Sequence, residues 1–113
     1  MEDKLENILR GVSLIPVLAQ PMPGAIPCVT FHIYNEAGGL FGGGNATQEI
    51  ASCQVDIWYS TKNVKEKNTI KAIKQAIIND RSCTYPIKDY IYESDKKTHH
   101  AYFNFEMIIE SEE

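Results

Sequence analysis

The chain has 113 residues, of which 43% are hydrophobic and 23% charged, with a formal net charge of -4. A length of this order points to one domain, and the composition excludes a disordered polymer. The acidic balance argues against a protein that wraps a nucleic-acid backbone, while leaving room for a local basic patch.

Glu2–Val12 reads as a short helix, because Leu5, Ile8, Leu9 and Val12 recur at helical spacing and Asp3 and Glu6 sit near its positive end. Gly11 and Pro16 mark its termination. So short a helix is marginal alone, so its apolar stripe must dock on something. Leu14–Leu18 is a brief apolar piece fit for a short or edge strand. In Gln20–Pro27, Pro21, Pro23, Gly24 and Pro27 keep the chain irregular.

Cys28–Tyr34 follows as a strand with apolar side chains on both faces, so its buried side stays open. Asn35–Gln48 holds Gly38, Gly39, Gly42, Gly43 and Gly44. Glycines lose much conformational entropy on ordering and add nothing to a core. A long mobile hairpin loop around Gly38–Asn45 is therefore expected, with Leu40 and Phe41 exposed for a partner to cover.

Ile50–Tyr59 is the clearest strand. Ala51, Cys53, Val55, Ile57 and Tyr59 share one face, which should line the core; Ser52, Gln54, Asp56 and Trp58 share the other. Trp58, on the polar side, is either an interface residue or packed beneath another loop. Asn63–Asn79 is the main helix, with Ile70, Ile73 and Ile77 on its apolar stripe and Asn63 and Glu66 spaced as a capping box. Ile87–Glu93 and His99–Glu110 alternate again, and the polar Ser94–Thr98 between them favours a hairpin. Together these pieces predict a single α+β domain over residues 1–113. Its mostly antiparallel sheet of four or five strands packs against one main helix, with a short N-terminal helix and the long glycine-rich hairpin loop.

The charges are uneven. Lys62–Lys97 contains nine basic and five acidic residues, and everything outside that window sums to -8. Opposite surfaces of neighbouring copies could attract each other through this asymmetry; a solvated helix face with acidic termini explains it as well. Cys28, Cys53 and Cys83 include no CxxC pair and lie in or near apolar segments, so buried reduced thiols are expected. Met1–Glu6 is acidic and the apolar run after it is short, unlike a signal peptide. No stretch approaches bilayer-spanning length, and a cytosolic compartment is expected.

Chemistry is hard to locate. The glycine run is not followed by a helix and carries no lysine, as a phosphate-binding P-loop would require. His99 and His100 are adjacent and should point to opposite faces of a strand, a poor spacing for joint zinc ligation. Cys53 lies on the expected core face, where burial makes a thiol inert. Asp56, Asp89 and Glu93 are scattered polar-face residues, explained by solubility. Lys62, Lys65, Lys67, Lys71, Lys74 and Arg81, with Tyr90 and Tyr92, could meet a nucleic acid, but nothing in the sequence makes them converge. No enzyme, cofactor or metal is expected.

The order of features resembles the small tail terminator or tail-completion proteins, which take part in head–tail joining in long-tailed phages and prophages. The likeness runs from the first helix and Ile15-Pro16-Val17 through the strands Pro27–Tyr34 and Ser52–Tyr59 and the helix Asn63–Asn79. It ends in Tyr90-Ile91-Tyr92-Glu93 and His100-Ala101-Tyr102-Phe103-Asn104-Phe105-Glu106. The resemblance implies a structural virion assembly protein that caps the tail tube as a homo-hexameric ring. Its implied partners are the tail-tube protein and the head connector proteins, with DNA passing non-specifically through the channel and no membrane involved. The implied place is the virion tail, or the host cytoplasm during assembly. Leu40 and Phe41 would then be docking residues, and Trp58, Tyr90 and Tyr92 subunit-interface anchors. The alternatives are a head–tail connector or stopper, or a generic small protein-binding module.

Overall fold

The computed structural model describes residues 2–20, 22–41, 45–60 and 64–110, with residues 2, 3, 35–41, 45–49, 109 and 110 described by backbone only. In chain order the elements are α1 (Glu2–Val12), β1 (Val17–Leu18), β2 (Cys28–Phe41), β3 (Asn45–Tyr59), α2 (Val64–Asn79), β4 (Ile87–Glu93) and β5 (Thr98–Glu110). They form the expected α+β domain. One five-stranded sheet runs in the order β1-β2-β3-β5-β4. Only β1 pairs in parallel, through Val17↔Val29 and Leu18↔Thr30; β2–β3, β3–β5 and β4–β5 are antiparallel.

Alternation decides which side is covered. Val29 and Phe31 of β2, Ala51, Cys53, Val55, Ile57 and Tyr59 of β3, and Ala101, Phe103, Phe105 and Met107 of β5 all face the helices. There they join Leu5 and Leu9 of α1 and Ile70, Ile73 and Ile77 of α2 in one core. This settles the first half of β2: up to the register shift after Ile33, its odd-numbered residues are the inner set. The two helices lie on one another, and the Lys4 ammonium reaches the Ser82 hydroxyl at 2.7 Å, tying the start of α1 to the turn after α2. Asp80 closes that turn, accepting from the Ser82 amide at 2.8 Å and from its hydroxyl.

Two differences from the sequence expectations matter. The backbone does not leave the sheet at Asn35: pairing continues through Glu36↔Ala51, Gly38↔Glu49, Leu40↔Ala46 and Phe41↔Asn45, with register shifts at Ile33/Asn35 and Gly39/Leu40. Glycine lacks a side chain but keeps both backbone hydrogen-bonding groups, so a glycine-rich segment can still complete a ladder. Backbone pairing thus reaches into the expected loop, whose centre, Gly42–Gly44, lies outside the described residues, as do Asn63 of the expected capping box and the side chains of Leu40 and Phe41. Second, among the described residues the last β3–β5 pair is Gln48↔Glu110, and there β2 and β3 run on beyond it as a two-stranded ribbon. The dimensions, 52 × 26 × 20 Å with a radius of gyration of 15.2 Å, exceed the roughly 13 Å of a compact domain this size.

β4 forms one margin of the sheet and is exposed over nearly its whole length. At the other margin β1 pairs only with Val29 and Thr30 of the long strand β2. The β4–β5 hairpin closes through Glu93↔Thr98, one residue tighter than expected, with Lys97 in the left-handed region at φ 52°.

Candidate functional site

Two surfaces carry the polar and aromatic side chains, one on each face of the sheet. On the helix side, beyond the edge of α2, register places Lys88, Tyr90 and Tyr92 opposite Phe103, Ala101 and His99. Tyr90 and Tyr92 are 48% and 47% exposed, so the two predicted anchors stand at the surface. His99 organises them. Its ring stacks on the buried Tyr59 at 5.0 Å and 7°, and those of Tyr90 and Tyr92 pack on it at 5.8 and 4.7 Å. The Tyr90 hydroxyl hydrogen-bonds His99 Nδ1. Burial, and then the neighbouring Tyr90, hold the Tyr59 phenol above its ordinary range.

One lysine of α2 reaches the segment that leads into β4. Lys74 Nζ stands 5.9 Å from the centre of the Tyr85 ring, a cation–π contact. Tyr85 is 67% exposed, whereas Ile87 and Ile91, exposed at 71% and 46%, pair with Asn104 and His100 and so belong to the other face of the sheet. One basic–aromatic contact therefore forms, between Lys74 and Tyr85, while Tyr90 and Tyr92 pack on His99.

Among the described residues no helix covers the other face of the sheet, yet its centre is shut to solvent. Asp56 is 2% exposed, Thr30 0%, Trp58 6% and His100 9%. Trp58 Nε1 donates to Thr30 Oγ1 at 2.8 Å, and its ring stacks on His100 at 3.8 Å and 11°. His100 Nε2 lies 3.0 Å from Asp56 Oδ2, but off the line of a hydrogen bond, so the contact is electrostatic. Gln54 Nε2 donates to both Asp56 oxygens at 2.9 and 3.2 Å. The Tyr102 hydroxyl donates to Asp89 at 3.1 Å; that bond, with lesser desolvation and carboxylate charge, raises the Tyr102 phenol.

Asp56 is thus a buried structural carboxylate, not the solubility residue its polar strand face suggested. Trp58 takes the packed alternative: it borders a groove of about 210 Å³ with Met22, Pro23, Gly24, Ile26 and Thr98, so the proline segment lies beside it. A second groove of about 280 Å³ opens on the same face between Tyr34, Ser52, Tyr85, Ile87 and Asn104. The sequence did contain a signal for the network. A carboxylate between Val55 and Ile57, two residues from the only tryptophan, is costly to bury unless partnered, but its partner His100 is 44 positions away and only register brings them together.

No grouping of side chains that could hold a metal occurs among the described residues. Cys28, Cys53 and Cys83 form no disulfide among the described residues. Burial raises the Cys28 thiol, partly offset by the Gly24 backbone. Burial, followed by the Asp80 carboxylate, pushes Cys83 up to about 11. Such thiols are poor nucleophiles near neutrality. At Asp80 burial pushes upward, but the Ser82 hydroxyl and amide and the Lys4 ammonium outweigh it and leave the carboxyl below its ordinary value. No helix among the described residues is long and apolar enough to cross a membrane.

No protein-family model matches the sequence, and no curated protein matches it either. A solved structure does match in fold. A chain of the virion of a native gene transfer agent particle superimposes with a TM-score of 0.67, over 98% of this chain and 95% of that chain, at 11% sequence identity. At that identity the likeness is one of architecture.

Proposed function

We propose that this chain is a structural protein of a phage-like virion that acts by assembly, as a ring capping the tail tube where head and tail join. The observation that carries the reading is the fold likeness to the virion chain, which extends over nearly the whole of both molecules. The distribution of side chains supports it. Exposed aromatics line β4, where Tyr90 and Tyr92 offer large contact area at low rotamer entropy, while the buried polar groups are engaged in packing.

In this reading the β4 margin meets a neighbouring subunit, and Leu40 and Phe41, at the end of the β2–β3 ribbon, meet the tail tube. Head connector proteins dock on the opposite side, and DNA passes through the ring without sequence recognition or chemistry. The protein is not an enzyme and works in the virion tail after assembly in the host cytoplasm.

Light scattering on the purified protein, alone and with tail-tube protein, tests the ring directly. The expected result is a discrete oligomer of about six copies, and a monomer under both conditions would refute it. Deleting the gene separates this role from its neighbour: overlong tails mark a terminator, whereas tails of normal length without heads mark a connector or stopper.

A further inference from the structure

The two margins of the sheet are open in complementary ways. A proline or a bulge would blunt a strand edge, yet Ile87–Glu93 of β4 contains no proline and pairs with β5 without a register shift. Its exposed side chains include Ile87, Tyr90, Ile91 and Tyr92. At the other margin β1 pairs with β2 only at Val29 and Thr30. The backbone of Asn35–Gly39, regular between the two register shifts, pairs with β3. Among the described residues neither edge has a further strand beside it.

The ladder fixes which backbone groups point outward. Thr84 N donates to Glu106 O and Ile108 N to Ser82 O, so even-numbered residues of β5 bond towards the β4 side. Lys88, Tyr90 and Tyr92, which stand opposite odd-numbered residues of β5, therefore turn their own N–H and C=O groups away from the sheet. On β2, Val29 N donates to Pro16 O, so odd-numbered residues point outward there. The shift between Ile33 and Asn35 passes that role to Glu36 and Gly38. Three antiparallel steps separate β2 from β4, so the two edges run in opposite directions.

We infer that the β4 edge of one copy pairs with the free β2 edge of a second copy, Tyr90 opposite Glu36 and Lys88 opposite Gly38, so that one sheet continues across the subunit boundary. The pair is antiparallel, and the helix-covered faces stay on one side. The inference rests on the ring reading above and names the contact that repeats around it. Unlike edges joined head to tail give the heterologous arrangement that closes into rings. Within one copy Tyr90 shares a row with Ala101, Ile57 and Val29, whereas Glu36 shares one with Ala51, six rows along β3 from Ile57. Successive subunits are then offset by roughly 20 Å along the strands for about 24 Å across five strands. That corresponds to a strand tilt of about 40°, within the range of closed barrels. Val29 and Thr30 of the second copy fall beyond Glu93, so its β1 clears the join.

The test uses proline, which a margin position tolerates where its N–H faces solvent but which cannot donate to an added strand. One variant carries Lys88→Pro and the other Glu36→Pro, with Lys88→Ala and Glu36→Ala as controls. Circular dichroism checks the fold of each, and sedimentation velocity reads assembly. Each proline variant alone should be monomeric, and both alanine controls should assemble as wild type does. An equimolar mixture of the proline variants keeps one intact edge of each kind, so it should stop at a dimer. If either proline variant assembles as wild type does, the strand pairing is wrong while the ring stands. If the alanine controls also dissociate, side chains rather than backbone make the contact and the inference falls. A mixture that stays monomeric overturns the head-to-tail pairing. Wild type that never associates, with or without tail-tube protein, removes ring and contact together. Hydrogen exchange on wild type gives an answer independent of any variant's folding. The amides of Glu36, Gly38, Lys88, Tyr90 and Tyr92 should be protected in the assembly and not in dilute monomer; equal exchange in both overturns the inference.

Discussion

The two faces of this sheet are both closed, but by different means. On the helix side the closure is apolar: α1 and α2 lay Leu5, Leu9, Ile70, Ile73 and Ile77 over alternating residues of β2, β3 and β5. On the other side no helix lies among the described residues, and Thr30, Trp58, His100, Asp56 and Gln54 close over one another through hydrogen bonds, a stacked ring pair and the close approach of His100 to Asp56. The first kind tolerates exchange between similar hydrophobes. The second depends on every member having its partner, because a buried polar group left alone costs more than its bond contributed.

The largest effect should come from the apolar side. Phe103→Ala removes a fully buried ring from the core centre and should cost about 3–5 kcal/mol in urea unfolding. Asp56→Ala, on the polar side, strands Gln54 and His100 and should cost about 2–3 kcal/mol. Trp58→Phe keeps the ring but leaves Thr30 Oγ1 without its donor, at a cost of about 1 kcal/mol. If Asp56→Ala proves neutral, the polar face is merely covered and not held, and the contrast between the faces disappears. Tyr90→Ala with Tyr92→Ala should change the unfolding midpoint little, because both are about half exposed, yet reduce the mass seen by light scattering.

The smallest effect concerns the thiol next to the helices. Cys83 is raised from 9.0 to about 11, so keeping it protonated stabilises the fold fully below pH 9 and ceases to do so as pH rises through about 11. Wild type should therefore lose more stability between pH 8 and 11 than Cys83→Ser, by denaturant titration. At pH 8 its thiolate fraction should be about 100-fold below that of an ordinary thiol, with alkylation correspondingly slow.

Much of the fold was legible where periodicity and composition agreed. The α1 helix and the β4 strand have the expected bounds, Glu2–Val12 and Ile87–Glu93, because spacing and punctuation coincide there. Pairing over residues 35–41 was not legible, because glycine content reports conformational freedom, whereas pairing depends on what the partner strand offers. The inner face of β2 was undecidable from Cys28–Tyr34 alone, since Cys28 and Val29 are both fully buried, on opposite faces. Among the predicted anchors, Tyr90 and Tyr92 are presented at the edge and Trp58 is enclosed. The distinction follows from β4 being marginal and β3 central, and strand order is a long-range property that local pattern does not encode.

Trp58 is the single tryptophan of the chain, and its indole lies flat against an imidazole. Ultraviolet emission excited at its red edge therefore reports on one place only, the strand face beside Met22 and Ile26. Peeling back the proline segment will alter quenching without any attached dye. Events confined to the tyrosine margin will stay dark in the same channel, so a fluorimeter can tell which side of the molecule has been disturbed.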